Sequence, residues 1–151
     1  MAINPNDYKE RIRDILSDDD IDGVRSITIG APYLDKLESA RDGTLYITTN
    51  STRIDSIRPV GTVNDGRIES FEHELRLHLL YVTSQSDGQK AEITADNVAT
   101  RIADIIEGNA RLSHGSDPII CEYAHIETID AGEFGKSKTA RILGVKIIVN
   151  N

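Results

Sequence analysis

From Phe71 to Tyr81 the chain alternates. Phe71, His73, Leu75, Leu77, Leu79 and Tyr81 take one parity, and Glu72, Glu74, Arg76 and His78 the other. A period of two held this long predicts a strand, here Glu69 to Thr83, with one apolar and one polar face. SQSDGQ at 84–89 ends it. Two other segments follow the helical period. Tyr8, Ile12, Ile15 and Leu16 share one face of a helix that Asn4 caps and Pro5 opens, with Ile3 placed to staple onto Tyr8. It is expected to stop near Ser17. Val98, Ile102, Ile105 and Ile106 repeat the spacing, Ile93 and Thr94 repeat the staple and cap, and Gly108 supplies a stop.

Shorter patterns fill the rest. TLYITT (44–49) reads as a strand behind the Asp42-Gly43 turn. PIICEYAHIETI (118–129) and ARILGVKIIVN (140–150) read as two more, with DAGEFGKSK (130–138) as the hairpin loop between them. SITIG (26–30) reads as a strand or as the end of the preceding loop, and PYLDKLES (32–39) as a short helix behind Pro32. Residues 50–67 carry turn residues and scattered apolar ones, with Asn64-Asp65-Gly66 a strong turn. They read as a long loop or an extended hairpin arm, and compact domains rarely keep such a stretch without a use.

The order predicts an α+β fold in one domain spanning 1–151. It has two layers, a mostly antiparallel sheet with both helices on one face, and a long loop or hairpin arm. Each helix offers four large apolar side chains. At roughly 1.5–3 kcal/mol per buried side chain, these are the main term joining the layers. The last strand departs from a simple two-layer pattern. Leu143, Val145, Ile147 and Val149 form one face, while Ile142, Gly144, Lys146 and Ile148 leave the other half apolar. The strand before it mixes its faces too. Part of that second face is expected to meet another subunit or a partner, unless segment 24–40 covers it.

Composition narrows the function. The formal charge of the 151 residues is −8, which argues against a surface that grips nucleic acid. Tryptophan is absent and aromatic residues are few, against a base-stacking platform. The single cysteine, Cys121, allows no disulfide within the chain, and cytoplasmic synthesis is the simplest reading. No apolar run approaches the ~20 residues of a membrane span, and no signal peptide is read at the start.

Three stretches imitate known sites. HELRLH (73–78) has two histidines and a glutamate, but a zincin helix spaces its histidines four apart and these stand five apart. On a strand, odd spacing sends the rings to opposite faces, so His73 and His78 share no metal. Gly135-Lys136-Ser137 resembles the end of a phosphate loop, but Asp130 stands where the first glycine belongs and a strand follows. Asp18, Asp20, Asp22 and Gly23 match the opening spacing of a calcium loop after a helix, while the twelfth position is Ile29 rather than glutamate. That excludes a full EF-hand and leaves a partial calcium site beside the plainer reading of a solvated acidic loop. Cys121 reads as a small core residue, and His114 and His125 have no evident orienting partner. No cofactor is expected, and no nucleophile or acid–base pair marks an enzyme. Asn50-Ser51-Thr52 is a glycosylation sequon that lacks a secretory context.

In organisation the chain resembles the small tail terminator proteins of long-tailed viruses. The resemblance rests on the opening helix, TLYITT, the long arm, FEHELRLHLLYV, the helix NVATRIADIIEG, and the closing strands ending ARILGVKIIVN. It implies a structural virion protein of the tail and neck, assembled in the host cytoplasm. It implies a ring, typically of six copies, that caps the tail-tube protein, stops tube growth and joins the head-completion or connector protein. DNA would pass through the lumen without specific binding, and no membrane is involved. On this reading the 50–67 arm and the 130–138 tip touch the neighbouring subunit or the tube, with Arg53, Arg58, Arg67, Lys136 and Lys138 supplying charge. Another head–tail connector component is the nearest alternative, and a small calcium-binding module the alternative from a different class.

Overall fold

The computed structural model describes residues 3–30, 42–49, 55–64, 67–84, 87–134 and 138–150, with the side chains of 55–64, 67–71 and 133–134 set aside. Helix α1 (Pro5–Asp18) is followed by β1 (Ser26–Ile29), β2 (Thr44–Thr49), β3 (Asp55–Asn64) and β4 (Arg67–Thr83). Helix α2 (Gly88–Gly108), β5 (Tyr123–Phe134) and β6 (Lys138–Asn150) complete the order. The six strands form one sheet in the order β1-β2-β4-β6-β5, with β3 beside β4 off that path. Among the described residues only β1 with β2 is parallel. The other pairings are antiparallel, as the α+β reading requires.

Alternation along β4 places the core. Leu75, Leu77, Leu79 and Tyr81 are almost wholly buried on one face. Leu45 and Ile47 of β2, and Leu143, Val145 and Ile147 of β6, extend that face sideways. Both helices lie on it. α1 brings Tyr8, Ile12, Ile15 and Leu16, and Asn4 caps it through its side chain to the Asn6 N–H at 3.1 Å.

Helix α2 begins earlier than its large apolar residues predict. Asp87 is the cap, accepting from the N–H groups of Gln89 and Lys90 at 3.0 and 3.3 Å, so Thr94 lies inside the helix and Ile93 is 52% exposed. The added turns pack through Ala91, Ala95 and Ala99, which are buried but carry little apolar signal. Arg141 of β6 reinforces the same end. It is buried on the helix-bearing face, and its guanidinium donates to Glu92 at 2.7 Å and Asp96 at 2.8 Å.

The closing hairpin also differs from expectation. Pro118–Glu122 are not strand, and β5 runs on through Asp130–Phe134, the stretch read as a loop. The ladder explains it: Asp130, Ala131, Gly132 and Glu133 each face a β6 residue, from Ile142 to Thr139. SITIG is the edge strand β1, while PYLDKLES lies outside the described residues.

Candidate assembly interface

Within the 50–67 region, residues 55–64 and Arg67 are strand. β3 pairs with the first half of β4, from Asp55 opposite Glu74 to Asn64 opposite Arg67, with irregularities between Ser56 and Arg58 and between Val60 and Val63. Pro59 sits opposite Phe71, tolerable because β3 lies off the main path. Among the described residues β6 pairs with β4 as far as Glu72, opposite Asn150. Residues 67–71 of β4, with β3, therefore overhang the sheet as a two-stranded ribbon.

The two expected contact elements lie at opposite ends of the sheet. The ribbon extends from the start of β4, while β5 and β6 turn beside its end, with Thr139 opposite Thr83. Seventeen residues of strand separate those ends, roughly 55 Å at ~3.3 Å per residue. Arg58 and Arg67 are on the ribbon. Lys138 is at the start of β6 opposite Phe134, so it does not join them. Arg53 and Lys136 lie outside the described residues.

The face of the sheet away from the helices carries its own charge balance. Arg76 bonds to Glu127 and, at 3.2 Å, to Glu74, and Lys146 reaches Glu74 at 3.0 Å. The Lys146 hydrogen bond and Arg76 hold the Glu74 carboxyl below its ordinary range, against the opposing effect of desolvation. Tyr46, Leu80, Val82 and Ala140 form a small apolar cluster on the same face. Ile142, Gly144, Lys146 and Ile148, the second face read from the last strand, lie on this side too, opposite Leu80, His78, Arg76 and Glu74, and Ile148 is buried.

The imitated sites do not assemble. His73 and His78 stand on opposite faces of β4, and burial pushes the His78 imidazole below its usual pKa. Among the described residues no three histidine, cysteine, aspartate or glutamate side chains group for a metal. In the acidic loop Asp18 bonds to His114 and Asp19 to Arg101 at 3.1 Å. Asp20 and Asp22 line an open cleft of about 670 Å³ against Thr94, Asn97 and Arg101 of α2. His114, without a partner in sequence, thus has one in space: Asp18, with Asp117 at 3.7 Å. Cys121 lies just before β5 rather than inside a strand. Its buried thiol faces the Ala110 carbonyl at 3.4 Å, and burial pushes it up to about 12.

No protein-family model and no curated protein matches the chain. A solved structure of the virion of a native gene transfer agent (GTA) particle contains a chain of similar fold. The likeness covers 83% of this chain and 78% of that one, at 12% identity and a TM-score of 0.50.

Proposed function

We propose that the chain is a structural virion protein, a tail terminator whose ring caps the tail tube, stops its growth and joins tail to head. The observation that carries this reading is the fold shared with a chain of the gene transfer agent virion over 83% of this sequence. The placement of the two hairpins supports it. A ribbon at one end of the sheet and a turn at the other suit a subunit held between two neighbours along an axis, tube on one side and connector on the other. Arg53, Arg58, Arg67, Lys136 and Lys138 serve these contacts and those between copies, typically six to a ring.

Electrostatics fit the same role. A net charge of −8, with Glu74, Arg76, Glu127 and Lys146 paired among themselves, leaves little to hold DNA that must slide through a lumen. The protein acts by assembly in the neck of the particle rather than by catalysis.

Light scattering, with calcium and with a chelator, tests the reading together with electron microscopy of purified tail tubes incubated with the protein. A closed ring of about six copies under both conditions, bound at one tube end, is the expected result. A protein that neither forms rings nor binds tubes refutes it. A mass that changes with calcium, and no longer does so in Asp20→Ala, transfers the argument to the acidic loop.

A further inference from the structure

Among the described residues β5 is the last strand of the sheet, and no other strand pairs with its outer edge. Near its start the Ala124 N–H points away from β6, to the Ala110 carbonyl. Beyond that bond the edge meets no other strand among the described residues, although β5 is 12 residues long. Such an edge is a template for another strand. Its side chains point the same way. Ile129 shares the helix-bearing face with Leu143, yet Leu143 is sealed and Ile129 is 48% exposed. The helical layer stops short of the edge and leaves an apolar contact beside unpaired backbone.

The edge is selective. An irregularity between Ile126 and Thr128 breaks its regularity, and Glu127, Asp130 and Glu133 stand on a strand with no lysine or arginine. Two β5 edges laid together would oppose acid to acid. The same chain holds a better match. The β3–β4 ribbon overhangs β6, and a two-stranded ribbon alone is marginal in water. The ribbon carries Arg58 and Arg67 beside Asp55, Asp65 and Glu69, so it brings the cations that β5 lacks.

We infer that the open β5 edge of one copy seats the β3–β4 ribbon of a second copy by strand addition, with Arg58 and Arg67 answering the acids of β5. The inference rests on the ring reading and names the surface that the arm meets. Because edge and ribbon are different parts of one chain, the contact is head-to-tail, and each copy uses both.

Hydrogen exchange followed as protein concentration is raised, with mass read by light scattering, tests this. Amides of residues 128–133 should slow as mass rises above the monomer. Asp130→Lys with Glu133→Lys should return the protein to monomer, as should Arg58→Glu with Arg67→Glu, each with an unchanged melting curve. Both reversals in one chain should recover the assembly. Rings whose 128–133 amides exchange as in the monomer would sink the edge contact and leave the ring standing. Reversed variants that assemble like the parent would do the same. A parent monomeric at every concentration overturns pairing between copies, and tube binding then decides the capping role separately.

Discussion

The Tyr81 hydroxyl donates a 2.7 Å hydrogen bond to the carbonyl of Gly23, joining the core face of β4 to the acidic loop after α1. The ring is almost wholly buried, and burial raises the hydroxyl to about 12, so it remains a donor throughout the working pH range. Gly23 has φ +92°, and a Cβ there would stand 3.0 Å from Val98 Cγ2. Tyr81→Phe leaves the carbonyl short of a partner and should cost about 1–3 kcal/mol in denaturant unfolding. Gly23→Ala meets both the strained backbone and Val98, and should cost about 1–3 kcal/mol.

Arg141 and its two carboxylates make an asymmetric clamp. The guanidinium is buried, while the Glu92 and Asp96 side chains are 56% and 64% exposed. Removing the arginine frees carboxylates that water can solvate, whereas removing the carboxylates strands a buried cation. Arg141→Met should therefore cost about 1–3 kcal/mol. The double variant Glu92→Ala, Asp96→Ala should cost more, about 3–5 kcal/mol. Urea melts of the two proteins give the order, and the reverse order refutes the argument.

The loop Leu112–Asp117 is tied to α1 through a titrating contact. The Asp18 hydrogen bond, aided by Asp14 and Asp117, raises the His114 pKa above 6.5 despite the opposing desolvation. The stability it contributes is full below its unfolded pKa and is lost as pH rises through the folded one. NMR titration should place the His114 pKa above 6.5 and return it toward that value in Asp18→Asn. Glu74 works in the other direction. Its lowered pKa gives stability above the ordinary carboxylate value that is lost as pH falls through the folded one. Glu74→Gln should flatten the acid limb of the stability curve.

Gly144 lies beneath Thr128 where β5 changes register. A Cβ at 144 would stand 2.6 Å from Thr128 Oγ1. Gly144→Ala should destabilise by about 1–3 kcal/mol through overpacking, and Thr128→Ala in the same chain should recover part of the loss. Additive single and double effects would mean that the strands separate freely there.

Deleting residues 52–65 should leave a protein that melts cooperatively but does not form rings, because the deletion removes all of β3 and spares the core. Rings formed by the deleted protein, seen by light scattering, would show that the arm is not the contact between copies.

Much of the fold was legible because periodicity reports burial directly. The alternation of β4, the apolar stripe of α1 and the strand Thr44–Thr49 are each set by one buried face, and the structure keeps them. The α2 start was not, because Ala91, Ala95 and Ala99 bury little area each and Asp87 acts through a cap invisible to apolar spacing. The continuation of β5 through Asp130–Phe134 was not, because those residues become strand by pairing with β6 rather than by their own pattern.

The candidate surfaces divide the same way. The sequence by itself determined that the 50–67 stretch is unusual, that His73 and His78 diverge, and that no EF-hand is complete, since these follow from local spacing. Only the tertiary structure decided that Arg58 and Arg67 lie far from Lys138, that His114 meets Asp18, and that β5 is an edge. Each of these joins residues distant along the chain. The order of strands in a sheet is fixed by which ladders close together over a shared core, a property of the whole assembly that no single stretch carries.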